Sequence, residues 1–483
     1  MKKEKNKRVL KTKIAMVSAE VDPFAKTGGL GDVVGSLPSA LNKVHCNSIV
    51  IMPLYGIINQ KYKDMMKYLG YIYVDLGWRH QYCGVFTLKR QYVTYYFLDN
   101  EFYFDRGVIY DEMDLEKFSF LSLAAFEVLK YIKFKPDIIH IHDWHTGVMA
   151  ALLHDYYHYD DFFKNTKCVY TIHNLAYQGK FNKFDVLDLL PLNRSKYDNT
   201  NTINYMALGI IYADVVTTVS ISYAHEILSQ SYGEGLQDLL NHEANKLRGI
   251  LNGINEKIYD PSKDKLIYHK YTKDNYAEGK LINKKSLFKD LNFNESEAED
   301  TILIGVISRL VSQKGLDLLI PIMGELLNNK VKLVVLGTGN KNIEESFKNI
   351  SLNHQDKFAA LIKFDNEIAH KLYAACDLLL VPSLFEPCGL TQMISLQYGT
   401  IPLVRECGGL KDSIIPFNEY TNEGNGFSFK EYNSNDLYNT ILYAINIYKQ
   451  KEKWNTIINN GFACDFSWTN SALKYKELYE SLK

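Results

Sequence analysis

The first stretch with the residue types of a ligand site is KTGGLGDVVG, residues 26–35, which follows the apolar run IAMVSAEV. Its glycines permit close approach to the backbone, Lys26 adds a positive charge, and a helix starting near Gly31 directs N–H groups at an anion. Gly35 lies one residue too late for a dinucleotide fingerprint, and the lysine precedes the glycines, unlike in a P-loop. Two interpretations therefore stay open: a phosphate-binding turn, or an ordinary strand-to-helix turn.

Two polar clusters follow later apolar runs. HDWH, residues 142–145, comes after DIIHI, and His173 and Asn174 come after CVYTI. The His142-x-x-His145 spacing suggests a metal, but no glutamate lies near it as in a zinc protease and no third ligand has suitable spacing. We expect a strand to place His142 and Asp143 on opposite faces. The pattern favours hydrogen bonding to a polar ligand, or helix capping, over a metal site. For His173, the alternative to a contact with the ligand is a purely structural role.

The second half of the chain carries its own charged clusters. Arg309 and Lys314 flank a predicted strand-to-helix turn, where they are either solvated charges or a pair that neutralises a diphosphate leaving group without a metal. Glu386, in an apolar surrounding, either has a structural partner or orients the hydroxyls of a sugar. Cys388 has no basic neighbour in sequence, which favours a small buried side chain over a nucleophile.

Buried parallel strands are predicted to position these clusters. The apolar runs are IAMVSAEV, SIVIMPL, DIIHIH, CVYTIH and DVVTTVS in the first half, and TILIGVIS, KLVVLG, ALIKF, LLLVPS and IPLVRE in the second. Each is followed by a polar or glycine-rich turn and a helix-like segment, which predicts an α/β fold with two doubly wound, Rossmann-like domains. Ligands bind beyond the carboxyl ends of such strands, where the clusters fall. We expect the two domains to face each other across a cleft.

Composition and chain organisation narrow the class of protein. Fifty-five basic and 56 acidic residues leave no global field for nucleic acid or an anionic membrane, and no apolar run is long enough for a membrane span. Seven scattered cysteines predict reduced thiols and a cytoplasmic location. The basic start, residues 1–13, precedes a predicted first strand rather than a secretory signal. The polar stretch 263–299 predicts a linker with surface helices.

Nine stretches, in this order, resemble the bacterial glycogen synthases and plant starch synthases, glucosyltransferases with the two-domain GT-B fold. They cover nearly the whole chain: VSAEVDPFAKTGGLGDVVGSLP, HIHDWHTG, TIHNLAYQG, YADVVTTVS, GILNGINE, SRLVSQKG, FEPCGLTQ, YGTIPLVRECGGLKDS and FSWTNSA. The resemblance implies an acceptor-side domain at 1–251, a nucleotide-sugar domain at 252–460, and a C-terminal helix at 461–483 that packs back on the first domain.

The implied reaction is retaining transfer of glucose from ADP-glucose to the non-reducing end of an α-1,4-glucan, such as glycogen or a maltooligosaccharide primer. Neither a metal nor pyridoxal phosphate is expected, and neither nucleic acid nor a membrane is an expected partner. The preference for ADP comes from the family alone, because aromatic stacking tolerates any base. The sequence carries no signal of the oligomeric state.

The resemblance also assigns residues by position. Lys26 resembles a donor-contacting lysine, and His173 resembles the residue whose backbone carbonyl faces the anomeric carbon. Arg309 and Lys314 resemble the pair that grips the diphosphate, and Glu386 resembles the acidic residue that positions the donor sugar. These five are the expected catalytic residues. The expected substrate-binding residues are Gly28, Gly29, Asp32, Asp143, Asn174, Asn252, Phe364, Cys388, Gly389, Leu390, Gly408 and Gly409.

Three positions and one segment depart from the family pattern or are ambiguous within it. Leu384 replaces a common arginine, and Cys407 replaces the usual threonine of the second glycine turn. The segment 104–120 is more compact than in relatives. Phe364 stands where relatives often have a tyrosine that stacks on adenine, and is otherwise a core aromatic. These departures bear on donor affinity and acceptor preference.

Two other functions compete with this interpretation. A glucan phosphorylase shares the two-domain architecture but needs pyridoxal phosphate on a lysine, and no stretch resembles the motif of that lysine. A catalytically silent glucan-binding protein would not need the diphosphate grip that Arg309 and Lys314 offer.

Overall fold

The structure is a computed structural model that describes residues 11–483, so most of the basic start of the chain lies outside the described residues. The chain divides into two compact units. The first unit runs to Gly253 and takes in Trp468–Lys483, and the second unit is Ile254–Ser467.

A nine-stranded sheet forms the centre of the first unit, in the part of the chain that the structure describes. The strands of the unit are β1 (Lys13–Val17), β2 (Asn47–Pro53), β3 (Lys67–Leu76), β4 (Arg79–Arg90), β5 (Val93–Asp99), β6 (Ile138–His142), β7 (Lys167–Ile172), β8 (Lys180–Asn182), β9 (Thr202–Asn204), β10 (Val215–Thr218) and β11 (Leu247–Gly249). The nine lie in the order β11-β10-β7-β6-β1-β2-β5-β4-β3, and β8 and β9 form a separate pair. Strand β6 is buried along its whole length.

Helices cover this sheet on its buried strands. They are α1 (Gly29–Lys43), α2 (Gln60–Lys63), α3 (Glu101–Phe104), α4 (Asp114–Tyr131), α5 (Asp143–Asp155), α6 (Lys183–Leu189), α7 (Tyr205–Tyr212), α8 (Ile221–Glu226) and α9 (Gln237–His242), with the last helix of the chain at Trp468–Ser481. Helix α1 begins two residues before the predicted start at Gly31. The five strands that the sequence predicts are present and parallel.

The sheet also has an antiparallel extension that the sequence search did not find. Strand β4 pairs antiparallel with β3 on one side and with β5 on the other, and β5 pairs parallel with β2. Their side chains alternate between exposed and buried, so they do not read as the continuous apolar runs typical of parallel strands.

The second unit contains a six-stranded, fully parallel sheet in the order β14-β13-β12-β15-β16-β17, with β12 (Ile302–Ile307), β13 (Val331–Leu336), β14 (Phe358–Leu361), β15 (Leu378–Val381), β16 (Ile401–Arg405) and β17 (Phe427–Phe429). Its helices are α10 (Tyr276–Asp290), α11 (Leu316–Leu319), α12 (Met323–Leu326), α13 (Lys341–Asn353), α14 (Asn366–Ala375), α15 (Thr391–Gln397), α16 (Gly408–Ser413), α17 (Ser434–Tyr448) and α18 (Lys451–Phe462). Among the described helices, none is long and apolar enough to cross a membrane.

The prediction of a linker with surface helices at 263–299 is right that a helix is present but wrong about its burial. Helix α10 lies in this stretch and packs against α14, with two of its lysines buried. Lys284 Nζ lies 2.5 Å from Asp377 Oδ2, and Lys280 Nζ donates to Thr400 Oγ1 at 2.6 Å. The stretch reads as polar because two of its buried positions hold hydrogen-bonded lysines in addition to the apolar Leu287 and Phe288.

The last helix, α19 (Trp468–Ser481), belongs to the first unit although it follows the second in sequence. It packs against α1. Its Tyr479 hydroxyl lies 2.8 Å from His140 Nδ1 on β6. The end of the chain is therefore built into the core of the first unit.

Candidate active site

The glycine turn between β1 and α1 is held by Glu20. Its carboxylate accepts hydrogen bonds from the Thr27 amide at 2.5 Å, the Thr27 hydroxyl at 2.8 Å and the Gly28 amide at 3.1 Å. The Tyr110 hydroxyl bonds the same carboxylate. Glu20 is only 3% exposed, so one buried carboxylate fixes the conformation of the turn. The Gly28 amide, which the sequence assigns to the ligand, is bound to Glu20 here.

Close packing requires glycine at two positions of this turn, whereas the other two glycines border open space. A Cβ on Gly31 would lie 2.4 Å from the Lys26 Cβ, and one on Gly35 would lie 2.5 Å from the Asp22 carbonyl oxygen, so close packing excludes a side chain at both. A Cβ on Gly28 or Gly29 would meet no described atom within 4 Å. The open space beside these two glycines suits the close approach of a ligand to the backbone.

Lys26 is held between two carboxylates. Its Nζ lies 2.6 Å from Asp32 Oδ1 and 3.0 Å from Asp22 Oδ1. Burial alone would lower the pKa of Lys26, but the hydrogen bonds and charges of Asp32 and Asp22 outweigh it and raise that pKa. The ammonium therefore stays protonated over the working range of an enzyme, and its position is fixed on two sides.

Asp143 links the ends of β6 and β7. It is the first residue of α5 and has a left-handed backbone with φ of 52°. Its Oδ1 accepts hydrogen bonds from the amides of His173 at 2.7 Å and Asn174 at 3.4 Å. Burial raises the pKa of Asp143 to about 7, against the opposing effect of these bonds. The expectation that a strand separates His142 and Asp143 is wrong, because β6 ends at His142.

The histidines around Asp143 are buried and neutral. His142 Nδ1 lies 3.1 Å from His173 Nε2, so these two ring nitrogens hydrogen-bond to each other instead of binding a common metal. Burial lowers the pKa of His173 to about 3 and that of His145 to about 3. No group of three or more metal-ligating side chains occurs within residues 11–483. The cluster is arranged for hydrogen bonding.

A cavity of about 390 Å³ adjoins this cluster in the first unit, lined by Trp144, Ala176, Tyr177, Gln178, Gly179, Lys180 and Glu234. The Asn174 side chain accepts from the Ala176 amide at 3.0 Å and so shapes one wall. Asn252, elsewhere in the unit, is 6% exposed, and its Oδ1 has no hydrogen-bond partner among the described residues. Such a buried orphan acceptor suits a hydroxyl donor.

In the second unit, the loops after β12 and β15 are joined through Lys314 and Glu386. Lys314 Nζ lies 2.5 Å from Glu386 Oε2, and the Ser383 hydroxyl donates to the same oxygen at 3.0 Å. The backbones are also joined, because the Leu384 amide donates to the Gln313 carbonyl at 2.9 Å. The structure thus brings two predicted residues, 72 positions apart in sequence, into one ion pair.

The second glycine turn packs directly on Glu386. Gly408 has φ of 43°, and a Cβ there would lie 2.0 Å from the Glu386 carbonyl oxygen. The Gly409 amide donates to that oxygen at 3.1 Å. Gly389 has φ of 71° and lies between the buried Cys388 and the half-buried Leu390. Gly408 and Gly389 are therefore required by the backbone itself, whereas Gly28 and Gly29 are not.

The remaining predicted residues of this unit lie at its surface. Arg309 is exposed, and its Nη2 lies 3.5 Å from Gln313 Oε1. Phe364 is 92% exposed, so the alternative of a core aromatic is wrong. Cys407 Sγ lies 3.4 Å from the Ser383 carbonyl oxygen, and the Leu384 carbonyl accepts from Arg405 at 2.6 Å. Both family departures thus contact the loop that carries Glu386.

Sequence reasoning missed the residues that hold the site together. Glu20 and Asp22 lie inside the stretch VSAEVDPFAKTGGLGDVVGSLP, but the sequence assigns neither of them a role. Nothing in the sequence marks Tyr110 or Ser383, since each reaches its carboxylate only through the tertiary fold.

Comparisons with known proteins identify the family of the chain. A family model described as the starch synthase catalytic domain matches residues 13–242, and one described as glycosyl transferases group 1 matches residues 288–461. A glycogen synthase from Clostridium beijerinckii is 46% identical over 97% of this chain and 99% of its own. One from Clostridium kluyveri is 44% identical over 97% of this chain and 100% of its own. The solved catalytic domain of starch synthase IV from Arabidopsis thaliana, bound to ADP and acarbose, has a TM-score of 0.89 at 32% identity and covers 98% of this chain and 99% of that chain.

The two units with parallel sheets define a glycosyltransferase of the GT-B architecture, which confirms the predicted fold class. The chain belongs to the family of the bacterial glycogen synthases and starch synthases. The predicted enzyme class is confirmed, and the glucan phosphorylase and silent binding protein are not favoured.

Proposed function

We propose that this enzyme transfers glucose from ADP-glucose to the non-reducing end of an α-1,4-glucan with retention of configuration. The observation that carries the proposal is the pair of Lys314 and Glu386, which sets a cation for a diphosphate beside a carboxylate for sugar hydroxyls. The presence of ADP and acarbose in the related starch synthase IV supports the choice of donor and acceptor.

Lys26 contacts the donor in this proposal. An ammonium has three N–H donors, and Asp22 and Asp32 engage two of them, which leaves one for a phosphate or sugar oxygen. Gly28 and Gly29 let the diphosphate approach the turn, because no side chain occupies that space. The buried carboxylate of Glu20 prevents the turn from collapsing toward the sheet.

Lys314 and Arg309 stabilise the charge that develops on the leaving ADP. Glu386 engages one donor of Lys314, so the lysine can hold a phosphate oxygen while it keeps Glu386 oriented. Ser383 also donates to Glu386 Oε2, which leaves the other carboxylate oxygen for the hydroxyls of the donor sugar. These cations act on the leaving group directly, and neither a metal nor pyridoxal phosphate enters the proposal.

The proposed transfer occurs on one face of the sugar. The bond from the anomeric carbon to the phosphate oxygen breaks as the acceptor hydroxyl attacks from the same side, and the leaving phosphate takes the acceptor proton. Asp143 fixes the peptide of His173 through its amide, so that the His173 carbonyl can face the positive charge on the sugar. The acceptor chain lies in the cavity beside Trp144 and Tyr177.

The test measures nucleotide release from ADP-glucose and from UDP-glucose with a maltooligosaccharide primer. We expect ADP release with chain extension, and a loss of at least roughly a hundredfold in kcat for Lys314→Ala and for Glu386→Ala. Lys341→Ala, which removes an exposed lysine of the same unit, is the matched control. Turnover like that of the unmodified enzyme in either site variant would refute the assigned roles, and release of glucose 1-phosphate on addition of phosphate would favour a phosphorylase.

A further inference from the structure

The loop between α8 and α9 places a strained residue at the cavity of the first unit. Glu234 has φ of 49° and the following Gly235 has φ of 81°, so two consecutive residues have a left-handed backbone. Glycine adopts this conformation without strain, whereas the Cβ of a glutamate is crowded by it. The chain therefore keeps a glutamate where the backbone favours glycine, and backbone strain of this kind clusters at ligand sites.

A buried amide holds this loop in its strained conformation. Gln178 is 8% exposed, and its Nε2 donates to the Glu234 carbonyl at 2.8 Å and to the Leu175 carbonyl at 3.3 Å. Its Oε1 accepts from Asn204 Nδ2 at 2.8 Å. Both N–H groups of the amide are thus engaged. Gln178 therefore joins the loop after β7, the end of β9 and the loop of Glu234, and its own N–H groups are not available to a ligand.

The carboxylate of Glu234 is available to a ligand. Glu234 is exposed, it lines the cavity, and its carboxylate makes no hydrogen bond or ion pair with any side chain or amide of residues 11–483. Lys180 lines the same cavity, and within that part of the chain it forms no ion pair with Glu234. A charged ligand would be repelled by one of these two groups. A hydroxyl both donates and accepts, so it can bind the carboxylate and the ammonium alike.

The same cavity also offers aromatic rings. Tyr177 is 65% exposed, and Trp144 packs on Gly179, where a Cβ would lie 2.3 Å from the indole. Gly179, with φ of 62°, keeps the indole against the turn that follows Gln178. The C–H faces of sugar rings pack on such rings, while charged groups bind the sugar hydroxyls. The cavity therefore has the chemistry to bind a neutral, hydroxyl-rich chain.

We propose that Glu234 sets the affinity of this enzyme for its acceptor glucan, by accepting hydrogen bonds from hydroxyls of the glucose units behind the reacting end. Gln178 is a positioning residue that holds Glu234 for this contact. The two oxygens of the carboxylate can accept from two neighbouring hydroxyls of one glucose unit. The inference rests on the proposed function for the identity of the acceptor.

The test compares two variants at one position. Glu234→Gln keeps the length of the side chain and removes its charge, whereas Glu234→Gly removes the side chain and relieves the backbone. We expect the KM for maltoheptaose to rise roughly tenfold for Glu234→Gln and at least as much for Glu234→Gly, because hydrogen bonds to a charged acceptor are the stronger ones. The kcat and the KM for ADP-glucose should not change. Glu101→Gln, at an exposed glutamate of the same unit outside the cavity, is the matched control.

Thermal unfolding distinguishes a contact with the acceptor from a purely structural role. Glu234→Gly should keep or raise the Tm, because glycine adopts the left-handed backbone without strain. Its affinity for the acceptor would then fall without any loss of stability. A fall in both the Tm and the affinity would instead assign Glu234 a structural role and overturn the inference.

Gln178→Met tests the positioning role, because it keeps the size of the side chain and removes the amide. Its KM for maltoheptaose should also rise. If Gln178 acts through Glu234, the combined variant Gln178→Met with Glu234→Gln should raise the KM by less than the product of the two single effects. Independent effects of the two substitutions would overturn the positioning role of Gln178.

Binding of maltoheptaose in the absence of a donor, measured by calorimetry, keeps this inference distinct from the proposed function. Equal affinities of the unmodified protein and of Glu234→Gln would overturn the role of Glu234. A rise in the KM for ADP-glucose as large as that for maltoheptaose would also overturn it, because the loop would then act on the whole site. If the unmodified protein binds maltoheptaose more tightly than Glu234→Gln does, but releases no ADP from ADP-glucose, the proposed function fails while this inference stands.

Discussion

At the scale of single residues, the cations of the site share one arrangement. Lys26 is paired with Asp22 and Asp32, and Lys314 is paired with Glu386. Each pair fixes a flexible side chain and still leaves a lysine N–H for the ligand. The sequence predicted both lysines and Glu386, because family motifs place them, but it could not predict their pairing, which depends on which loops the fold brings together.

Glu20 is expected to position the glycine turn without contacting the substrate. Glu20→Gln keeps one oxygen to accept from the Thr27 and Gly28 amides, but it removes the negative charge that strengthens these bonds, and its NH2 group must donate to the Thr27 hydroxyl instead of accepting from it; Thr27→Val removes only the hydroxyl bond. We expect Glu20→Gln to raise the KM for ADP-glucose roughly tenfold, because hydrogen bonds to a charged acceptor are stronger than those to a neutral one, with the KM for the glucan unchanged. Steady-state kinetics in both substrates measures this split.

Tyr103→Phe is the matched control for Glu20→Gln. Its hydroxyl bonds Glu116 at 2.5 Å in the same unit, away from the turn. It should leave both KM values unchanged, and Thr27→Val should show part of the effect of Glu20→Gln. An equal rise in the KM for the glucan would show that Glu20 acts on folding alone.

At the scale of elements, the sequence predicted strands better than it predicted what surrounds them. Continuous apolar runs specify strands buried on both faces, so the core strands of both sheets were found. Strands with alternating side chains were missed, as in β3 and β4, and so was the burial of α10, where lysines occupy buried positions. The positive φ of Asp143 could not be foreseen either, because it results from the backbone turning from β6 into α5.

The buried lysine of α10 provides a test of this correction. Lys284 Nζ bonds the Thr301 carbonyl at 2.5 Å and Asp377 at 2.5 Å, and it is 3% exposed. Lys284→Ala leaves Asp377 without its cation, so we expect the free energy of unfolding of the second unit to fall by about 3–5 kcal/mol. Urea unfolding measures the change, with the exposed neighbour Lys285→Ala as the control. An unchanged midpoint for Lys284→Ala would restore the interpretation of α10 as a surface helix.

The buried histidines at the ends of β6 and β7 predict sensitivity to acid. Burial, helped by the charge of Lys117, lowers the pKa of His145 to about 3, whereas the unfolded chain titrates near pH 6.5. The native state therefore stays neutral while the unfolded state takes up a proton. The stability that the neutral His145 contributes is complete above pH 6.5 and is lost as the pH falls toward 3.

His145→Phe should remove this contribution while keeping the ring contacts with Tyr110 and Phe118. We compare the decrease in the free energy of unfolding when the pH is lowered from 7 to 5. This decrease should be about 2 kcal/mol smaller for the variant than for the unmodified protein. Tyr159→Phe, at a ring that is 84% exposed, is the control and should leave the pH dependence unchanged. Equal slopes for His145→Phe and the unmodified protein would contradict the lowered pKa.

At the scale of the whole molecule, the chain leaves the first unit at Gly253 and returns to it at Trp468. The two family models match the two halves separately, and α19 lies beyond both matched ranges. The C-terminal helix is thus a part of the first unit that neither model covers. Its contact with β6 makes the stability of the first sheet depend on the last residues of the chain.

A row of buried hydrogen bonds carries this dependence across the sheet. Tyr479 bonds His140 Nδ1 at 2.8 Å, His140 Nε2 lies 2.6 Å from Thr171 Oγ1, and Thr171 Oγ1 lies 2.6 Å from Thr217 Oγ1. The row links α19 to β6, β7 and β10. Since its members are fully or almost fully buried, loss of one bond leaves a neighbour unsatisfied.

Tyr479→Phe should therefore lower the free energy of unfolding by about 1–3 kcal/mol, because His140 Nδ1 loses its partner in a site that water does not reach. Thr171→Val breaks the row at its next position. If the row acts as a unit, the double variant should be less destabilised than the two single variants combined, by at least about 0.5 kcal/mol in a double-mutant cycle. Tyr420→Phe combined with Thr171→Val is the control and should show additivity. Additive effects for Tyr479 and Thr171 would mean that α19 is attached to β6 by a local bond alone. Coupling would instead establish that the end of the chain helps to order the strands that present Asp143 and His173.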